Sequence, residues 1–301
     1  MRICSLLPSI TELLFELGLG DHIVGVTHEC DWPLAALAKP KLTRSRIRGE
    51  GCSSAEIDRQ VREQAGSLYE LEAETLARLR PDLIFTQSLC PVCAVDENTV
   101  RRIAAALPWR PKVLSYHPTC LREVLAMFDE IGRITEATSA AERATARFRC
   151  EIARLQAELS EVSDRPRVVC LEWTDPPFAC GHWTPELVEL AGGRELLGKA
   201  GRPSRRAGWD ELTATDPSVL LIAPCGFTLD RTLEEVPALN RQTGWADLLA
   251  VRTGRLYCTD GSAYFNRPGP RLVESLQIIA EVIHPSRFAG IAPRGSFKQV
   301  S

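Results

Sequence analysis

Short apolar runs alternate with amphipathic segments along the first part of the chain. Arg2–Leu7 and His22–Thr27 predict strands, and the apolar residues of Ile10–Leu17 recur at the spacing of a helix. Ser9 and Glu12 stand three residues apart, which predicts a capping box at the start of that helix. Such alternation is typical of α/β proteins with a parallel sheet.

The same alternation extends through the first 117 residues and resumes after residue 163. Further helices are predicted from the Ser53 cap to about Gln64 and at Glu72–Leu79, Pro185–Ala191, Trp209–Ala214 and Arg271–Ile283, and further strands at Asp82–Thr86, Lys112–Ser115, Arg167–Leu171 and Val219–Ala223. We therefore expect two Rossmann-like α/β lobes, at residues 1–117 and 164–290, with a tail at 291–301.

Residues 118–163 carry no strand signal. Apolar residues recur there at helical spacing, as in Leu121, Val124 and Phe128, which predicts either one long helix or two helices joined near Thr135–Ser139. A single helix of that length reaches up to roughly 60 Å at about 1.5 Å per residue, which is more than one small lobe needs. We expect this segment to be a backbone helix that joins the lobes, with a ligand cleft between them.

Two pairs of segments in the halves of the chain are similar. Thr11–Gly18 is similar to Pro185–Gly192, and Leu76–Cys90 is similar to Leu212–Cys225. Either the halves are a structural repeat, or two generic helix–strand units are alike by chance. In a repeat, the cysteines that end the second pair of segments are equivalent.

Composition and charge narrow the partners to small molecules and proteins. The chain is 45% hydrophobic with a formal net charge of −3, so neither a nucleic acid nor an anionic membrane surface is indicated. No stretch of about 18 apolar residues predicts a membrane span. The apolar run before Pro8 is shorter than a secretory core of roughly 7–15 residues, so we expect a cytoplasmic protein. The common nucleotide, hydrolase and protease motifs are absent, which favours a binding protein over an enzyme without deciding the question.

Eleven cysteines are many for a cytoplasmic chain, where free thiols or metal ligands are expected instead of disulfides. Cys90 and Cys93 form a C-x-x-C pair after a predicted strand, and Cys30 and Cys225 also follow strands. Four thiolates predict a zinc site or an iron–sulfur cluster. The alternative is four unrelated reduced cysteines in a cleft.

Several polar and aromatic residues follow predicted strands, where open α/β sheets bind ligands. The candidate histidines are suited either to ligating a metal, including the metal of a tetrapyrrole, or to hydrogen bonding within a loop. The candidate aromatic residues are suited either to contact with a large flat ligand or to packing in a core. Glu172 is suited either to hydrogen bonds with ligand amides or to capping a nearby loop. The candidate ligand-binding residues are His28, Trp32, Glu172, Trp173, His182, Trp183 and Phe227.

The ordered motifs resemble the helical-backbone class (class III) of periplasmic binding proteins, the cobalamin, haem and iron-siderophore receptors. The first lobe of that family is similar to Arg2–Glu12, Gly18–Thr27 and Leu79–Ile84, and the resemblance covers about residues 1–285. A leaderless, cobalamin-binding-like subgroup is most similar, through motifs at 28–31, 90–93, 172–177, 181–183 and 224–227.

The resemblance implies ligand capture between two lobes and delivery to an ABC transporter permease, whereas the short apolar run before Pro8 predicts a chain without a leader. We expect a cytoplasmic binding protein for a cobalamin-like corrinoid, another metal chelate or a cysteine-ligated metal centre. The rival is an iron–sulfur metalloenzyme or redox protein acting on a small substrate, with Glu172 or His182 as proton carrier.

Overall fold

The computed structural model describes residues 1–64, 66–87, 95–160 and 162–300, which form strands and helices in alternation. The strands are β1 (Ile3–Ser5), β2 (Ile23–Val26), β3 (Thr43–Ser45), β4 (Tyr69–Leu71), β5 (Leu83–Gln87), β6 (Lys112–Tyr116), β7 (Arg167–Thr174), β8 (Pro177–Ala179), β9 (Arg194–Glu195), β10 (Arg205–Arg206), β11 (Val219–Ile222), β12 (Leu256–Thr259) and β13 (Phe297–Val300). The helices are α1 (Pro8–Glu16), α2 (Ser54–Glu63), α3 (Ala73–Leu79), α4 (Glu97–Ala106), α5 (Leu121–Ile134), α6 (Thr138–Leu159), α7 (Thr184–Leu190), α8 (Trp209–Thr215), α9 (Leu229–Leu233), α10 (Val236–Leu239), α11 (Leu249–Arg252) and α12 (Leu272–Ile283).

The chain divides into two compact units. The first unit comprises Met1–Cys52, Glu56–Pro118 and Glu123–Thr145. Its main sheet has the order β2-β1-β5-β6 with every pair parallel, and β3 and β4 form a separate antiparallel pair. All five residues of β5 are buried, as expected for a central parallel strand covered on both faces.

The second unit comprises Ser53–Ala55, Thr119–Arg122 and Ala146–Ser301. Its sheet has the order β10-β8-β7-β11-β12-β13, and β9 also pairs with β7. Phe297–Val300, which the sequence analysis assigns to a tail, forms β13 antiparallel to β12.

The two units share a parallel four-strand core, which supports a repeat over chance similarity. The order β9-β7-β11-β12 in the second unit corresponds to β2-β1-β5-β6 in the first, and all six pairings are parallel. Both α3 and α8 end in a left-handed residue, Arg80 and Asp216, before the next strand begins. Gly18 and Gly192 likewise have left-handed φ angles just beyond α1 and α7.

Helix α1 begins earlier than the sequence predicts. Pro8 occupies its first turn, where the missing N–H costs no hydrogen bond, and Leu7 is the N-cap with no side-chain cap. The predicted capping box of Ser9 and Glu12 is therefore wrong, because both residues lie within the helix.

The segment between the predicted lobes forms two helices, α5 and α6, and not the expected single backbone helix; two helices are the other form that the sequence allows. Glu136 has a φ of 59° between α5 and α6, a left-handed conformation that ends the helical path. A Cβ on Gly132 would lie only 2.4 Å from Ala141 Cβ, so glycine permits the close approach of the two helices. The boundary between the two units falls within α6.

The Glu195 carboxylate accepts a hydrogen bond from β7 at a residue between the part paired with β9 and the part paired with β8. Glu195 Oε2 accepts a hydrogen bond from the Cys170 N–H (3.1 Å), and Oε1 accepts from the N–H groups of Leu197 and Gly198 (3.0 Å each). Desolvation raises the pKa of Glu195 to about 7, although these hydrogen bonds and one from Cys180 lower it. The carboxylate thus takes the place of a strand acceptor.

In the part of the chain that the structure describes, no helix combines the length and apolar composition of a membrane span.

Candidate functional site

A hydroxyl–imidazole cluster lies where β2 ends and β3 begins in the first unit. Thr43 Oγ1 lies 2.7 Å from both Thr27 Oγ1 and His28 Nδ1, and it accepts a hydrogen bond from the His28 backbone N–H (3.0 Å). His28 Nε2 lies 3.1 Å from Glu29 Oε1, and the His28 and Tyr69 rings are 5.2 Å apart. When the Thr43 hydroxyl donates to Nδ1, the buried Nε2 carries the proton, so in this arrangement no ring nitrogen of His28 offers a lone pair to a metal.

Cys30 and Trp32, in the same loop, have opposite environments. The Cys30 thiol is 1% exposed, and its Sγ lies 3.0 Å from the buried Thr11 hydroxyl. Trp32 is 48% exposed, and Leu34 and Leu37, which follow it in the chain, are exposed as well. The thiol is thus a core group, whereas Trp32 exposes aromatic surface.

The carboxyl ends of β7 and β11 hold an aromatic pair in the second unit. The rings of half-buried Trp173 and buried Phe227 lie 5.0 Å apart, tilted by 52°. Trp173 Nε1 donates to the Ser54 carbonyl (3.3 Å), and the Arg231 guanidinium lies 4.2 Å from the centre of the Phe227 ring. Both predicted aromatic residues are therefore held in one stack with an arginine, a cation–π arrangement.

The buried Glu235 carboxylate holds the arginine of that stack in place. Glu235 Oε2 accepts hydrogen bonds from the hydroxyls of Ser54 (2.5 Å) and Thr174 (2.7 Å), and Oε1 pairs with Arg231 Nη2 (2.7 Å). Burial acts to raise the pKa of Glu235, but these three partners outweigh it and lower the pKa below its ordinary value. The carboxylate is charged at neutral pH and holds Arg231 over Phe227.

The sequence analysis does not identify Ser54, Arg231 or Glu235 as site residues. Arg231 and Glu235 stand four residues apart, a spacing that signals an ion pair on a helix. No comparable signal connects them with Ser54, because the hydrogen bond to Glu235 joins residues 181 positions apart.

His182 has a left-handed backbone conformation and follows Gly181, whose N–H is hydrogen-bonded to Glu172. Its φ of 53° is left-handed, its backbone N–H donates to the Arg202 carbonyl (2.6 Å), and Glu172 Oε1 accepts from the Gly181 N–H (3.1 Å). Within the described residues the imidazole has a ring contact with Trp183 and no hydrogen bond to either ring nitrogen. Desolvation lowers the pKa of His182, which favours the neutral imidazole that binds metals.

Trp183 and Cys225 have the environments of a core residue and a surface residue. Trp183 is 3% exposed, and its indole N–H donates to the Phe265 carbonyl (2.8 Å), which favours a structural role. The Cys225 thiol is exposed after β11.

The described residues give no support to the predicted four-thiol centre. Cys90 and Cys93 lie outside them, and among the residues that are described no three His, Cys, Asp or Glu side chains come together to hold a metal ion.

Comparisons with known proteins place the chain among binding proteins. A family model described as periplasmic binding protein matches residues 3–263. The chain is 23% identical over 293 residues to an ABC transporter substrate-binding lipoprotein of Bacillus subtilis, covering 95% of this chain and 81% of that protein. It is 22% identical to a vitamin B12-binding protein of Vibrio cholerae, covering 92% and 86%. A periplasmic haem-binding protein of Pseudomonas aeruginosa has the same fold, with a TM-score of 0.73, 20% identity and coverage of 100% and 95%.

Proposed function

The chain belongs to the periplasmic binding protein family, and we propose that it binds a tetrapyrrole-like metal chelate, a corrinoid or a porphyrin. The relatives named for vitamin B12 and haem support this ligand class. The observation that carries the proposal is the stack of Trp173, Phe227 and Arg231 at the carboxyl ends of β7 and β11. A half-buried indole held in a fixed orientation provides a flat apolar surface for a macrocycle.

The metal of the chelate would be approached by His182 in preference to His28. The His182 ring nitrogens have no hydrogen-bond partner in the described part of the chain, and desolvation lowers the pKa of the imidazole, so the neutral form is favoured. In His28, by contrast, Nδ1 lies 2.7 Å from Thr43 Oγ1, and Nε2 is buried and lies 3.1 Å from Glu29 Oε1. Glu172, in the same unit as His182, would add a carboxylate to the ligand's periphery.

Titration with cyanocobalamin and with haemin tests the proposal. Quenching of tryptophan fluorescence, together with a shift of the ligand's visible bands, is expected for at least one chelate. Trp173→Ala should weaken binding by about 10-fold or more, since an aromatic contact with its buried area contributes on the order of 1.4 kcal/mol or more. Trp209→Phe is the control, since Trp209 is a partly buried residue that packs against the hydrophobic core of the same unit. His182→Ala should remove the part of the band shift that ligation of the metal by His182 would cause, and absence of binding by both chelates would refute the proposal.

Delivery of the ligand to an ABC transporter permease is the second part of the proposal, supported by the substrate-binding lipoprotein among the relatives. The cytoplasmic location stays a prediction. Cell fractionation tests it: recovery with cytosolic marker enzymes supports the prediction, and release by osmotic shock contradicts it and favours delivery from outside the membrane.

The cysteine-ligated centre, and with it the iron–sulfur enzyme alternative, rests on the sequence pattern alone. Measurement of iron and zinc in protein purified without oxygen tests it. Two or more irons per chain, lost in Cys90→Ser/Cys93→Ser, would revive that alternative.

A further inference from the structure

Two buried cysteines of the second unit, Cys170 on β7 and Cys180 directly after β8, lie outside the candidate ligand site. We infer that they are a modification site, and that their thiols form a disulfide across the two strands when the protein meets a small-molecule disulfide oxidant such as oxidised glutathione.

The backbones of the two cysteines lie opposite each other. Leu171 pairs with Ala179 in the antiparallel ladder, and the Cys180 N–H donates to the Cys170 carbonyl (3.0 Å), so the cysteines are the next opposed pair. Opposed residues of antiparallel strands have Cα atoms about 4.5–5.5 Å apart, within the range of roughly 4.4–6.8 Å that a disulfide spans. Closing the bond therefore needs no rearrangement of the strands.

The two thiols also contact each other. The Cys180 thiol forms a hydrogen bond with the Cys170 thiol, and both side chains are buried. A Cβ on Gly198 would lie 2.6 Å from Cys180 Sγ, so glycine leaves the room that this thiol occupies. The sulfurs thus already lie on the same side of the two strands, which is the second requirement for a disulfide.

Burial keeps both thiols protonated in the folded protein. Desolvation raises the pKa of Cys180 well above its ordinary value. The hydrogen bond from Cys180 lowers the pKa of Cys170, but desolvation outweighs it and the pKa is raised. Because the attacking species is a thiolate, oxidation needs local opening of β8, a strand of three residues. We therefore expect the disulfide to form over hours in the folded protein and faster as the chain folds.

Oxidised glutathione supplies the oxidising equivalents. One cysteine thiol gives up its proton, and its sulfur attacks the glutathione S–S bond; that bond breaks, a mixed disulfide forms, and one glutathione leaves with the proton. The sulfur of the other cysteine then attacks the mixed disulfide, and a second glutathione leaves with the second proton. Two protein thiols are oxidised to one disulfide, and glutathione disulfide is reduced to two thiols.

The bond closes a ring around part of the candidate ligand site. Glu172 and Trp173 lie between the two cysteines, and His182 lies two residues beyond Cys180. The disulfide therefore ties the end of β7, which carries the aromatic stack, to the start of the histidine loop. In an oxidising compartment the pair is closed, and in a reducing one the two thiols remain free.

Tryptic mass mapping of the full-length protein measures the state of this pair. Cleavage after Arg167 and Arg194 gives a peptide, 168–194, that contains Cys170 and Cys180 and no other cysteine. Folded protein and protein unfolded in urea are equilibrated with the same glutathione buffer, and free thiols are then trapped with N-ethylmaleimide in denaturant. The disulfide lowers the mass of the peptide by about 2 Da and prevents both maleimide additions.

We expect the ratio of disulfide to dithiol to be at least about 10-fold higher in folded than in unfolded protein, because the fold holds the thiols together whereas the unfolded chain must close the ring. By linkage, the urea midpoint should be higher in oxidised than in reduced glutathione. Cys170→Ser should abolish this difference. Cys258→Ser is the matched control and should retain it, since Cys258 is a buried thiol on β12 of the same sheet.

The wild-type peptide ratio decides the matter even if a variant fails to fold. A ratio that is equal or lower in the folded protein overturns the inference. So does a peptide 168–194 that carries two maleimides, or a persistent mixed disulfide with glutathione, after equilibration and refolding in oxidised glutathione. None of these outcomes bears on chelate binding, which the titrations with cyanocobalamin and haemin decide separately.

Discussion

Replacement of Glu235 by glutamine tests whether one buried charge holds the aromatic stack of the second unit. The side chain is 5% exposed and accepts hydrogen bonds from Ser54 and Thr174 while pairing with Arg231. Glutamine has nearly the same shape but only one acceptor oxygen, and its NH₂ group must face a donor. At least one partner therefore loses its hydrogen bond.

The expected cost follows from these contacts. A hydrogen bond to a charged group contributes about 1.5–3 kcal/mol, and breaking a buried ion pair costs about 3–5 kcal/mol. Arg231 is 22% exposed, so water recovers part of that loss. We expect Glu235→Gln to lower the free energy of unfolding by about 3 kcal/mol at neutral pH. Because the pKa of Glu235 is lowered, this stabilisation is lost only when the pH falls through its folded pKa, below 4.5.

Urea unfolding followed by tryptophan fluorescence measures this cost, since four of the six tryptophans lie in the second unit. The matched control is Glu234→Gln, because Glu234 is 69% exposed and lies 3.5 Å from the same Arg231. An exposed pair of this kind contributes about 0–1 kcal/mol. If the two variants unfold within about 0.5 kcal/mol of each other, the assigned role of Glu235 is refuted.

Three further predictions concern other parts of the described structure. Between pH 4.5 and about 7 the unfolded chain has lost the Glu195 proton that the folded chain retains. The free energy of unfolding should therefore fall as the pH rises, by at most about 1.4 kcal/mol per pH unit. Urea denaturation of Glu195→Gln over the same pH range should lack this component. Gly181→Ala should lower the free energy of unfolding by about 2 kcal/mol or more, because its Cβ meets backbone atoms, whereas Gly49→Ala, with open space around it, should change it by under about 0.5 kcal/mol. A thiol reagent should label exposed Cys225 in the native protein but Cys258, whose pKa burial raises to about 12, only after unfolding; native labelling of Cys258 at a similar rate would contradict this.

The local pattern of the chain was enough to predict the α/β class, most of the strands and the helices between them. β11 is a short run of buried apolar residues and β5 begins with one, a pattern that depends on neighbours in sequence. The break between α5 and α6 also falls at the position that the pattern allows. The family resemblance then proved correct, because it rests on the order of many such segments.

The environments of individual site residues depended on tertiary structure. Trp32 and Trp183 both follow strands in the sequence, yet one is 48% exposed and the other 3% exposed, since burial is set by what packs against each ring. The contacts of Glu235 with Ser54 and of His182 with Arg202 join residues from separate loops. β13 likewise forms only because β12 offers it a free edge. Periodicity records which face of an element is apolar, whereas these contacts arise when distant segments meet, and no spacing along the chain encodes that meeting.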